Sequence, residues 1–232
     1  MNENIKNIED NFNQVKINRL VASWALLTLT TSNVCVSIFN KTKEGNIFNI
    51  CRESVYLRCI IETRKILEPN KADKTANLDY IIGQVYNNKD FFIQKHYNDS
   101  ISIERHWCGS SEEFAYIEEY MEKRKLENAQ EAQQRCLEVI ELVRHRWCKL
   151  WTFLGNSPAF MFLKEKRNLC VHSIMTTNIF MPPINKMQKL LNLILWFIKK
   201  LDFIIYNTSS NLEELDKEAE FVAYKFWNYM HK

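Results

Sequence analysis

The chain has 232 residues, 46% of them hydrophobic and 25% charged, with a formal charge of +3. That length suits one helical domain with a full core, and the composition is that of a globular protein. The charge is too mild to argue for nucleic acid by itself. Four glycines and four prolines are too few for many short strands joined by turns, and favour long helices joined by few loops.

A long first helix is expected from about Ile5 to Phe39, bending near Thr31 to Asn33, with the polar segment Asn40 to Asn46 ending it. A second follows from Ile47 to Leu67, because Ile50, Val55, Leu57, Ile60, Ile61, Ile66 and Leu67 recur at helical spacing; Pro69 stops it. Asn70 to Asn77 reads as a polar loop and Leu78 to Val85 as a short helix. Asn87 to Gly109 mixes aromatic and polar residues and gives no clear period. From Ser110 the pattern runs unbroken to Leu154, with Glu112 and Glu113 in the first turn. Gly155-Asn156 closes that helix, and Ser157-Pro158 opens a helix over about 158–175. Pro182-Pro183 opens another over 182–206, and the last covers 211–230. No repeat or linker divides the chain. The expectation is a single all-α domain over residues 1–232, a bundle of long antiparallel helices. The apolar faces of Leu190 to Tyr206 and Leu20 to Phe39 suit its core or a dimer interface.

Seven cysteines, at positions 35, 51, 59, 108, 136, 148 and 170, form no CxxC pair and read as reduced, buried small hydrophobes of a cytoplasmic protein. Arg105-His106-Trp107-Cys108 is echoed by Arg144-His145-Arg146-Trp147-Cys148. Zinc knuckles place ligand pairs two to four residues apart and outside long helices, so no metal is expected there. The polar, acidic N-terminus does not read as a secretory signal. Leu20 to Phe39 is uncharged and long enough to cross a bilayer. Its Ser23, Thr28, Thr30, Thr31, Ser32, Asn33 and Ser37 are expensive in lipid, which favours a buried helix and no membrane. The basic clusters Lys123-Arg124-Lys125, Arg144-His145-Arg146, Lys164 to Arg167 and Lys199-Lys200 read as solvated helix faces. Tyr224, Phe226, Trp227 and Tyr229 recur at near-helical spacing, which favours packing over base stacking.

One motif carries chemistry: Arg167-Asn168-Leu169-Cys170-Val171-His172. At about 100° per residue, Phe160, Leu163, Cys170, Val171 and Ile174 form one stripe, and Arg167 falls in its middle. An arginine there needs a paired acid, a cavity or a partner. His172 lies about 140° further round the helix, beside Asn168. A planar, permanently charged guanidinium matches phosphate oxygens, and an imidazole can move the proton of a ribose 2′-hydroxyl. Cleavage by an internal 2′-hydroxyl needs no metal but gains from both an acid and a base. One motif histidine per chain then asks for a second copy across a two-fold axis. The competing explanation is structural: Arg167 paired with a buried acid, and His172 an ordinary surface histidine.

The run Lys166-Arg167-Asn168-Leu169-Cys170-Val171-His172-Ser173 resembles the signature of the HEPN superfamily of helical ribonucleases: Arg, a polar residue, variable residues, then His. The wider chain, over about residues 10 to 205, is similar to the abortive-infection (AbiU-type) branch, in which Arg64-Lys65-Ile66-Leu67-Glu68-Pro69 followed by Asn77-Leu78 looks like an upstream element. The resemblance implies a HEPN-like bundle and a homodimeric endoribonuclease without cofactor or metal. Arg167 would hold the scissile phosphate, His172 would transfer protons and Asn168 would orient one of them. It implies RNA as substrate, and an antitoxin or a defence-complex protein as partner. Relatives neutralised by a nucleotidyltransferase antitoxin carry Tyr two residues after the His; Ile174 stands there, so that form of control is not implied. The alternative is a non-catalytic helical module for dimerisation or for binding nucleotide or RNA in a defence complex.

Overall fold

The computed structural model describes residues 3–33, 36, 45–68, 76–102, 111–155, 184–208 and 211–230, without the side chains of 111–116, 153–155, 213 and 226–230. The described residues form helices and no strand. In chain order these are α1 (Glu3–Ser32), α2 (Gly45–Leu67), α3 (Leu78–Asn87), α4 (Lys89–Ile101), α5 (Ser111–Gly155), α6 (Ile184–Tyr206) and α7 (Leu212–Met230). The protein is therefore all-α. The region without a clear period, 87–109, contains α4, which continues α3 after a turn at Asn88. Gly155 lies inside α5, so the described helix extends one residue past Leu154. Residues 156–183 lie outside the described residues, and with them the helix expected over 158–175.

One continuous apolar cluster draws on all of these helices. Helix α1 is its hub and packs against α2, α3, α6 and α7, while α5 packs against α3, α4 and α6. Ile5, Ile8, Phe12, Val15, Ala22, Ala25, Leu26 and Leu29 of α1 are buried, a three-and-four spacing that places one stripe inward. Lys16 meets Asp202 while Phe12 meets Tyr206, so α1 and α6 run antiparallel. Asp79 meets Trp147 while Tyr86 meets Arg144, so α3 and α5 do too. Leu191, Ile194, Phe197, Ile198, Leu201, Ile204 and Ile205 of α6 are buried, which gives the Leu190 to Tyr206 face to the core.

No described helix is long and apolar enough to cross a membrane. Four hydroxyl groups near the C-terminal end of α1 are satisfied within it. Thr28, Thr30 and Thr31 donate to the carbonyls of Trp24, Leu26 and Leu27 at 2.8, 2.9 and 3.0 Å, and Ser32 to Leu29 at 2.6 Å. Such back-bonding lets a polar sequence sit inside a core without orphaned donors. Local capping is similarly direct at α3, where Asn77 Oδ1 accepts from Tyr80 N at 2.8 Å. At the far end of α6, Lys95 Nζ donates to the Ile205 carbonyl at 2.6 Å, and a His96 ring nitrogen lies 3.1 Å from that of Ile204. Both satisfy last-turn carbonyls that a helix cannot pair itself.

Candidate functional site

Arg167, Asn168 and His172 lie outside the described residues, as do His106 and Cys108 of the His/Cys echo. What is described is the frame that holds the motif segment in sequence: α5, which ends at Gly155, and α6, which begins at Ile184. Aromatic side chains join these two helices. Trp147 stacks with Trp151 at 6.0 Å between centroids and meets Phe197 edge-on at 5.4 Å; Trp196 meets Phe197 edge-on at 5.0 Å. The buried Trp147 also donates its indole N–H to Asp79 Oδ1 at 2.7 Å. The long α5 is thereby fixed to α3 on one side and α6 on the other.

The upstream element is held by charge pairing. Arg64 is 5% exposed, and its Nε and Nη2 donate to both carboxylate oxygens of Glu68. The guanidinium is thus engaged by an acid four residues on. Glu62, 1% exposed, accepts from Arg58 at 2.9 Å and Lys65 at 3.1 Å. Two further charged pairs close the core around α1. Arg19, 1% exposed, makes two 2.6 Å bonds to the carboxylate of Asp216, to which Ser23 also donates at 2.9 Å. Lys16 donates to the buried Asp202 at 2.9 Å, with its ammonium 4.9 Å from the ring centroids of Phe12 and Tyr206. Paired in this way, the charges act as ties between helices.

The basic clusters divide into two kinds. Lys123-Arg124-Lys125 is a solvated face, where Arg124 donates to the Tyr120 hydroxyl at 3.0 Å and reaches Glu127 at 3.4 Å. Arg144 and Arg146 are exposed yet ordered by aromatic rings: Arg144 Cζ lies 3.4 Å from the Tyr86 centroid and Arg146 Cζ 4.5 Å from that of Trp196. Lys200 approaches the same Trp196 ring at 6.0 Å and Lys89 approaches Tyr86 at 5.0 Å. The run 144–146 is therefore more than a solvated face. Its platforms, Tyr86 and Trp196, lie about 60 and 50 residues away in sequence, and no local pattern marks them.

The cysteines correct one expectation. Cys59 and Cys136 are buried, and burial pushes both thiols up to about 12. Cys51 is half-buried, but Cys148 is exposed, on the outer side of α5. Tyr224 corrects another: it is 58% exposed beside Phe221 and Val222, so it does not pack inward. No family model matches the chain, and the searches of curated proteins and of solved structures found no match either.

Proposed function

We propose that the protein is a metal-independent endoribonuclease of HEPN type, acting in the cytoplasm as a toxin or effector of anti-phage defence or of a toxin–antitoxin system. The observation that carries this reading is the Arg167-Asn168-Leu169-Cys170-Val171-His172 run within a chain that is otherwise all-α. The ribose 2′-oxygen attacks phosphorus while the bond to the 5′-oxygen breaks. The products are a 2′,3′-cyclic phosphate and a 5′-hydroxyl. Arg167 stabilises the charge gathering on the phosphoryl oxygens, His172 moves the proton of the 2′-hydroxyl or of the leaving oxygen, and Asn168 orients one of the two. A second copy contributes the second histidine. The exposed apolar side chains of α7, Leu215, Phe221, Val222 and Tyr224, give support to self-association, since such clusters mark contact surfaces.

The test is cleavage of RNA by purified protein in the presence of a chelator. Wild type is expected to leave cyclic phosphate ends, and His172→Ala to cut about 10²–10⁴-fold more slowly while keeping its helical circular dichroism. Equal cutting by both proteins would remove the catalytic assignment and leave the binding-module alternative.

A further inference from the structure

We infer that the outer face of α5 near its C-terminus, with its aromatic flanks on α3 and α6, is a docking surface for single-stranded RNA. Four observations carry this. First, Arg144 and Arg146 sit two residues apart, which places them about 160° apart around the helix. They reach opposite flanks of α5, where Tyr86 and Trp196 receive them, so two guanidinium groups are held across roughly one helix diameter, about 10–12 Å. Second, a ring under a guanidinium occupies its face and leaves its N–H edge open. Neither Arg144 nor Arg146 makes an ion pair or hydrogen bond with any described residue, whereas Arg19, Arg58, Arg64 and Arg124 each have a carboxylate partner. A guanidinium already immobilised by stacking loses less freedom when it grips a phosphate.

Third, His145 and Lys149 are exposed on the ridge between the two flanks, and Lys200 adds an ammonium at the Trp196 flank. Positive groups thus continue over the helix from one flank to the other. A protein partner of acidic character would meet the same charges, but the two rings favour a ligand with flat π-faces as well as regularly spaced anions. A base can slide against a partly exposed ring edge or stack on the guanidinium itself. A duplex keeps the faces of its bases stacked inside the helix, so it can meet the charges but not the rings. Fourth, the position is apt. Nine residues separate Arg146 from Gly155, about 14 Å of helix at 1.5 Å per residue, and beyond Gly155 the chain continues into the segment bearing Arg167 and His172. The choice of RNA as the anion rests on the ribonuclease reading.

The experiment uses the full chain and a fluorescent, 2′-O-methyl single-stranded RNA of about twenty nucleotides, which cannot be cut by 2′-oxygen attack. Binding is titrated at several salt concentrations. Wild type is expected to bind with an affinity that falls steeply with salt. Arg144→Ala/Arg146→Ala is expected to bind about tenfold or more weakly and to flatten the log–log salt slope by about 1.4, two contacts at roughly 0.7 each for a single strand. Arg144→Lys/Arg146→Lys keeps the charge and loses the fork, and is expected to lie between. Arg135→Ala, an exposed arginine of the same helix with no aromatic ring beneath it among the described residues, is the control for loss of one positive charge, to be set against Arg144→Ala and Arg146→Ala singly, and should change affinity less than twofold. The proposal falls if the double alanine variant binds like wild type, or if Arg135→Ala matches either single variant. It also falls if a polyglutamate peptide or a duplex of equal charge competes as well as the single strand. Cleavage of unmodified RNA by wild type against His172→Ala is scored separately. Failure of that comparison with the salt-slope result intact removes the nuclease and keeps the docking surface; the reverse removes only the docking surface.

Discussion

Arg19 and Arg146 are both guanidinium groups held between helices, and the fold treats them in opposite ways. Arg19 is 1% exposed on α1 and is clamped by both oxygens of Asp216 on α7. Arg146 lies on the rim of α5, open to water, with only the Trp196 ring beneath it. The first arrangement turns both terminal nitrogens to Asp216 and buries the guanidinium away from any ligand in water, and its Nε has no partner among the described residues. It ties α7 to the hub. The second spends the face of the guanidinium and leaves its edge. Burial with a carboxylate marks an arginine that holds the fold, and stacking without one marks an arginine available to an anion.

The sharpest way to break this comparison is to remove the acid beneath Arg19. Asp216→Ala strands a buried charge, and a cost of about 3 kcal/mol is expected, at the lower end of the range for broken buried pairs because Asp216 keeps some contact with water. Urea unfolding followed by circular dichroism reads it as a lower midpoint. The paired replacement Arg19→Met/Asp216→Leu is expected to recover most of that loss, since apolar side chains of similar size need no counter-charge. A double variant as unstable as the single one would mean that α7 docks by geometry specific to the ion pair.

The next effect concerns the clamp between α5 and its neighbours. Trp147→Phe removes the bond to Asp79 and part of a buried indole, and a loss of about 2 kcal/mol is expected. Because this tie flanks the motif segment, the variant should also lower RNA cleavage at temperatures where it remains folded. Unchanged activity would detach the aromatic clamp from function and leave it with stability alone.

Alkali gives a third handle on the core side. Cys59 and Cys136 rise from an ordinary 9.0 to about 12 on burial. The stabilisation from keeping them neutral is complete below pH 9. It is lost as pH climbs from 9 towards 12, because the unfolded thiols ionise while the folded ones do not. At pH 10 the loss is up to about 1.4 kcal/mol for each thiol. Cys59→Ala should therefore show a shallower fall in urea midpoint between pH 8 and pH 10 than wild type. A neutral alkylating reagent at pH 8 should modify Cys148 well before either buried thiol, and equal rates would contradict the burial.

Much of this architecture is legible in local pattern, and contacts between residues far apart in sequence are not. The unbroken run after Ser110 announced α5, because a helix interior needs only the absence of breakers and a repeating apolar face. The start of α3 at Leu78 is equally local, although Asn77, which reads as the end of a loop, is its cap. Helix α4 gave no clear signal because it buries little of itself: Phe92 and His96 face inward, and Lys95 is used at a carbonyl 110 positions away. The Arg19–Asp216 pair spans 197 positions, and nothing near either residue predicts the other. The Arg144-His145-Arg146 run was visible as charge, but Tyr86 and Trp196, which turn a solvated face into ordered guanidinium groups, come from other helices. For the candidate site, the residue types and spacing of Arg167, Asn168 and His172 are legible, and their mutual geometry lies outside the described residues.

The smallest expected effect separates the two kinds of arginine most directly. An exposed stacking contact contributes about 0.5–1 kcal/mol, and neither Arg144 nor Arg146 leaves a buried partner uncompensated when it is removed. Each single alanine variant should therefore shift the urea midpoint by less than a third of the shift caused by Asp216→Ala. If Arg146→Ala instead unfolds the protein as readily, the guanidinium is a structural tie between α5 and α6. Stacking without a carboxylate would then no longer identify an arginine free to bind, and any loss of RNA affinity in that variant would follow from a loosened helix. A near-neutral midpoint together with weakened binding is the combination that only a surface kept for a ligand produces.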